Sequence, residues 1–443
     1  MIQNQPLTAE QRKKSQFNYL CFNAINGASY MCLGETVIVL FAVRLNMSNT
    51  IISLIGAMLY LGYLLLPLGV KRTAAVGAAQ CMADFWVCRN VSVLMVAFCA
   101  LINLWSNIAA GIVLLFGSFL FYGFRAAGCV MSQPLVGDIS DENERPVIIG
   151  KSFGLFYVSG VVAMIGISIL LHFNDSMIAL SSIIVAGAML GVTASTFVRN
   201  ITETSILSES AHKPILDGIS YVLKTKIVVQ LVTAWFFCNI GNILVGPMGL
   251  LTLKRGGGVS DTNAILFSLF QLIIQISACQ WGIPLTRKIG PRKVIIIGYL
   301  LFFPVCIFWL LLPSMEGFTF LNWLLILIPF AIQGVANMFT NNALIHYFLM
   351  SVPKEKQVAS SMLLNLIHGA AAGLIGIMIV TGLMKCSELM AKDGTPMTVF
   401  HWYFSLTLPI LLIGVPFIFK LKKVIDSYRE EHGEDSVRKT IQR

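Results

Sequence analysis

Gly282-Ile-Pro-Leu-Thr286-Arg287-Lys-Ile-Gly290-Pro-Arg292-Lys293 joins two long apolar runs through a short basic turn bracketed by glycines. Gly69-Val-Lys-Arg-Thr73-Ala-Ala-Val76-Gly77 repeats its glycine frame at an offset of 213 residues, again between two apolar runs. Glycines at those places permit a tight turn and close helix approach. The basic residues complement helix C-termini and hold such a loop on one side of a membrane. Two further matches keep nearly the same offset: Glu144-Arg145-Pro-Val147 with Glu355-Lys356-Gln-Val358, and Asn23-x-x-Asn26 with Asn239-x-x-Asn242. Three matches in order argue for two halves of six spans with the same orientation.

Composition agrees with a bilayer as the main solvent. The 443 residues are 56% hydrophobic and 12% charged, with a mean hydropathy of +0.79, whereas a soluble domain carries roughly 25% charge. A helical span takes roughly 20 apolar residues, and runs near 17-43, 50-70, 78-102, 108-135, 149-172, 177-198, 227-252, 262-286, 292-312, 319-350, 358-384 and 398-420 predict about twelve. The fold class expected is an all-α membrane protein of two pseudo-symmetric six-helix bundles. Its division is 1-198, a connection 199-226 of short amphipathic helices, 227-420, and a tail 421-443. The polar start, with Arg12, Lys13 and Lys14, lacks the pattern of a cleaved signal peptide. Lys and Arg crowd the loops on one side several-fold over the other, which places both termini in the cytoplasm of a plasma (inner) membrane. The same scatter explains the net charge of +10 without nucleic acid. The 10 cysteines lie mostly in apolar runs and form no metal-ligand pattern, so neither a metal nor another cofactor is expected.

The turn at 282–293 resembles the signature loop of the major facilitator superfamily, of G-x-x-x-D-R-x-G-R-K type, with Gly282, Arg287, Gly290 and Arg292 in register. Thr286 stands where that family has Asp. The copy at Gly69 and Gly77 keeps the glycines and shifts its basic residues. Gly123-Phe-Arg125-Ala-Ala-Gly128 is similar to the family's R-x-x-x-G motif, one residue shorter. The resemblance implies a secondary transporter working by alternating access, with these loops in gating.

Ionisable residues inside spans are costly and mark function by default. Here they are Glu35, Asp84, Arg89, Arg125 and His368. A rise of 1.5 Å per residue puts Arg89 about 18 Å from Gly77 and Arg125 about 15 Å from Leu135, both near the middle of the apolar layer. Two midplane guanidinium forks suit a carboxylate or phosphate. The plainer alternative is that Asp84 pairs with one of them and Glu35 offsets the other. Glu35 is also a candidate for coupling to a proton, although at helical spacing it points away from the face shared by Asn23, Asn26 and Tyr30. The second half has polar rows instead: Asn239 and Asn242, Gln271 and Gln275, Gln333, Asn337 and Asn341, and Ser361, Asn365 and His368. Such rows line a water-filled cavity that hydrogen-bonds hydroxyls or amides, or else bond between helices.

The reading is a monomeric carrier of a small polar, anionic solute, working within the lipid bilayer and open to coupling with a proton or sodium ion. The rivals are an exporter of lipophilic or cationic drugs using Glu35, Asp84, Tyr30, Trp86, Trp235 and Phe236, a neutral sugar transporter, and a membrane receptor that transports nothing. No motif for an enzyme appears.

Overall fold

Every backbone amide in an apolar layer needs an internal partner, and the chain answers with helices throughout. The computed structural model describes residues 2–47, 49–174, 176–213, 215–257, 259, 261–312, 320–392 and 394–422. The tail beyond Lys422 and the side chain of Glu35 lie outside the described residues. Ten described helices are long and apolar enough to cross a membrane. The other two expected runs are interrupted. The first span is Ala9–Leu33 followed by Glu35–Arg44, broken at Gly34, whose ψ of 166° is extended. The second runs Asn49–Leu61, a tight turn Gly62–Leu65, and Leu66–Val76 with Pro67 in its first turn. Proline lacks the amide that would continue the preceding ladder.

The third to sixth spans are Ala78–Asn103, Asn107–Cys129, Arg145–Phe173 and Met177–Arg199. A short helix Ser132–Asp138 follows the fourth. Ser205–His212 and Ile215–Lys224 are the two short helices of the connection. The seventh and eighth spans are Lys226–Leu251 and Asp261–Ile289; the ninth is Pro291–Leu300 with Phe302–Leu311. Phe320–Ser351 and Pro396–Phe419 form the tenth and twelfth. The eleventh has three parts: Gln357–Asn365, a π-helical turn Leu366–Ala371, and Ala372–Met390.

The chain divides into two compact units, Met1–Ile219 with Lys354–Ala370, and Ser220–Pro353 with Ala371–Arg443. The first has a core of Leu33, Ile38, Phe41, Val96, Leu114, Phe121 and Ile184. Its first and fifth spans touch backbone to backbone at Gly27, where a Cβ would stand 2.1 Å from the Phe156 carbonyl oxygen. The second unit ties its buried rings by their polar ends: Tyr299 donates to the Leu411 carbonyl at 2.7 Å and Tyr403 to that of Leu244 at 2.8 Å. Large apolar side chains left outside, such as Trp105, Ile108, Phe173 and Met378, face the solvent that an apolar layer supplies.

Gly77 and Gly290, the ends of the two repeated loops, are the glycines with positive φ among the described residues, at +87° and +81° with ψ of 170° and 157°. That region of backbone space belongs almost to glycine alone. The loop at Gly77 carries an extra device. Glu203, from the connection, is buried and its carboxylate accepts from the amides of Ala78 and Ala79 at 2.9 and 3.0 Å, capping the third span. Glu203-Thr204 also pairs in parallel with Ile2-Gln3. Asp138 accepts from the amide and hydroxyl of Thr204 and lies 3.6 Å from the Lys354 ammonium. Thr73, which matches Thr286 in the repeat, carries no carboxylate, and Glu203 reaches the following helix from another segment.

Two expectations follow. Gly290→Ala meets open space and should cost only the backbone strain, about 1–3 kcal/mol, whereas Gly77→Ala drives its Cβ within 2.4 Å of Glu203 and should lower the melting temperature further. Burial raises the Glu203 carboxyl to about 7. The folded chain therefore holds that proton more tightly than the unfolded one, and the stability it contributes is full below the unfolded value and lost as pH rises through 7. Wild type should lose melting temperature between about pH 4.5 and 7, by an amount equivalent to up to roughly 3 kcal/mol, and Glu203→Gln should lose much less.

Candidate functional site

The third span presents Trp86 and Arg89 one turn apart, and the fourth presents Phe121, Tyr122, Arg125 and Cys129 at similar spacing. Helical periodicity puts each set on one face. Arg89 is fully buried. Its guanidinium lies 5.2 Å from the Trp86 ring centre and 4.9 Å from that of Phe121. Nη1 donates to Asn26 Oδ1 at 3.2 Å, and the Trp86 indole donates to the same oxygen at 2.9 Å. Nε and Nη2 find no partner within the protein. Those two atoms form one edge of the guanidinium plane, the edge that meets a carboxylate or phosphate in bidentate fashion.

Arg125 is partly exposed and stacks over Tyr30 at 4.9 Å. Cys129 is within hydrogen-bonding reach of it, and Tyr63 and Arg89 are within electrostatic reach. No carboxylate makes an ion pair with either arginine among the described residues. Asp84, considered above as a midspan counter-charge, is taken instead by Arg72 at 2.7 Å and Arg199 at 3.2 Å, with Gln80 donating to it at 2.7 Å. Its position one and a half turns before Arg89 turns it to the end of the helix rather than the middle.

Of the polar residues expected from the first span, Asn26 and Tyr30 reach the arginines, whereas Asn23 spends its amide on the Tyr19 carbonyl at 2.8 Å. Asn365 and His368, read as part of the second-half rows, belong to the first unit. Ser361 donates to the Val130 carbonyl at 2.9 Å, Asn365 donates back to Ser361, and Gly369 packs on the Tyr63 ring. The other rows meet in the second unit. Gly246 of the seventh span leaves room for Gln333 Nε2 and Asn242 Oδ1, and Gly334 of the tenth packs against Gln271 and Gln275 of the eighth. Gln275 and Asn337 are buried, each with its amide oxygen unpaired within the protein. Asn239 and Asn341 are half-buried. Gly69 packs a helix against the Ala127 carbonyl, Gly282 is in ordinary contact with Phe339, Arg287 is exposed, and Arg292 donates to the Phe419 carbonyl at 3.1 Å. The two arginines are therefore also surrounded by Tyr63, Trp86, Phe121 and Cys129, which the sequence did not assign to an anion site. Their signal was helical spacing from the two arginines, except for Tyr63, which comes from another span.

A family model described as the Major Facilitator Superfamily matches residues 19–377. No curated protein matches the sequence. Among solved structures, the chain is similar to the proton:xylose symporter XylE bound to 6-bromo-6-deoxy-D-glucose, with a TM-score of 0.67 at 12% identity over 94% of this chain and 97% of that one. A bacterial homologue of the iron transporter ferroportin, outward-facing, gives 0.66 at 13% over 92% and 99%. FucP in the outward conformation gives 0.64 at 15% over 91% and 98%. At these identities the likeness is one of fold.

Asn26 is the acceptor on which the Arg89 arrangement turns. Asn26→Ala should lower stability by about 2–3 kcal/mol, the usual scale for a hydrogen bond to a charged group. Asn26→Asp, which brings a carboxylate to an unpaired guanidinium, should melt at or above the wild-type temperature; a large loss there would mean that Arg89 already has its counter-charge.

Proposed function

The chain belongs to the major facilitator superfamily, and on that premise we propose that this membrane transporter carries a small polar anion by alternating access. The observation that carries the reading is a pair of guanidinium groups in apolar surroundings, neither paired with a carboxylate among the described residues and one of them with its Nε–Nη2 edge unpaired. A guanidinium keeps its proton, and an unpaired charge away from water is expensive. An anion supplies the counter-charge. Arg125, partly exposed, meets the solute first, and the buried Arg89 sets its orientation. Within the second unit, the unpaired amide oxygens of Gln275 and Asn337 suit hydroxyl or amide donors. Both termini lie in the cytoplasm of the plasma (inner) membrane, by the Lys and Arg asymmetry of the loops.

A second reading, a neutral sugar, draws on the amide set of the second unit alone. It leaves the arginines as a structural feature. A cationic drug fits neither, because two guanidinium charges repel it.

A thermal-shift screen of the purified protein against succinate, inorganic phosphate, glycerol 3-phosphate, gluconate, xylose and a lipophilic cation separates the three. Binding to the folded state raises its apparent stability by mass action, by about 2.7 kcal/mol at a hundredfold excess over Kd. An anion should raise the melting temperature, and Arg125→Gln, Arg89→Gln and Asn26→Asp should each abolish the rise. Stabilisation by xylose alone, unchanged in the arginine variants, would replace the anion with a sugar.

A further inference from the structure

The first unit gathers two guanidinium groups and surrounds them with uncharged partners. Around Arg89 stand Asn26, Trp86 and Phe121; around Arg125 stand Tyr30, Tyr63 and Cys129. Three carboxylates of the same unit are committed elsewhere. Asp84 is held by Arg72 and Arg199, Glu203 caps the third span, and Asp138 is bonded to Thr204 with Lys354 beside it. Among the described residues, the site thus has two fixed positive charges, no counter-charge of its own and no carboxylate to take up a proton when the solute leaves.

We propose that the carrier is an obligatory anion exchanger, changing the side to which its site opens only when an anion is bound. This rests on the anion reading above. Passing from one open state to the other takes the site through an enclosed state in which water is removed from whatever it holds. With an anion present the enclosed charges largely cancel. With the site empty, two guanidinium groups that cannot shed their protons are enclosed within electrostatic reach of one another, and desolvation costs several kcal/mol per ion. Their mutual repulsion adds to that. The loaded path is therefore fast and the empty path slow, so a solute molecule moves one way only when another is returned. A proton symporter would instead need a group that neutralises the empty site, and the described residues around these arginines offer amides, rings and a thiol.

The test uses the full-length protein reconstituted in liposomes, with radiolabelled succinate and radiolabelled inorganic phosphate as probes. Vesicles are preloaded either with the same unlabelled anion or with an impermeant zwitterionic buffer, and initial uptake is compared. At least about tenfold faster uptake into anion-loaded vesicles supports exchange. Equal uptake under both loadings overturns it while leaving the anion reading intact. So does uptake into buffer-loaded vesicles driven by an inward proton gradient, and its loss in Glu35→Gln would then identify the coupling group. Saturable uptake of neither probe under any loading, together with no melting shift from any anion of the screen, overturns the anion reading itself.

Discussion

Arginine does not give up its proton at any pH a cell reaches. Burying Arg89 completely, within electrostatic reach of a second arginine and, among the described residues, paired with no carboxylate, therefore commits the whole first unit to the consequences of that charge. The rings of Trp86 and Phe121 offer their negative faces, worth up to about 2 kcal/mol each when desolvated. Asn26 lends one oxygen to both the indole and the guanidinium. These contacts are well suited to positioning a cation and too weak to cancel it. The first span is fixed against the third by that shared oxygen, and against the fifth by the contact at Gly27. Neutral groups therefore hold Arg89 in place.

Much of the architecture was legible because an apolar layer imposes simple rules. Runs of about twenty apolar residues, basic short loops and glycines at two matched turns were enough to count the spans and to see the repeat. The backbone at Gly77 and Gly290 bears the repeat out in detail, since both glycines adopt the same unusual conformation. The breaks were harder to see. Gly34 interrupts a run that reads as one helix, and the π-helical turn at Leu366–Ala371 has no proline or charge to announce it. Periodicity averages over such places.

The site was partly legible. A charged residue within an apolar run stands out whatever surrounds it, which is why Arg89 and Arg125 could be picked from the sequence. Their partners could not be chosen so easily. Asp84 is only five residues from Arg89, yet two arginines from other segments claim it. Asn365 and His368 continue a row of amides in the sequence but belong to the unit that holds the arginines. Distance along the chain predicts neighbours within a helix well and between helices hardly at all. Tyr63, brought to Arg125 from the second span, illustrates the limit.

The eleventh span is a single helical path that belongs to two bodies. Its first part is counted with one compact unit and its last part with the other, and the division falls at Ala370/Ala371, the end of the π turn. Two other passages of the chain from unit to unit fall at Ile219/Ser220 and Pro353/Lys354, outside the long helices. Any relative motion of the bodies must be absorbed where the chain crosses between them, and here the crossing lies inside a helix. A π turn carries one more residue than an α turn for the same length of ladder. That extra residue is slack stored in an otherwise stiff rod. The turn also packs Gly369 on the ring of Tyr63, the residue that lies within electrostatic reach of Arg125.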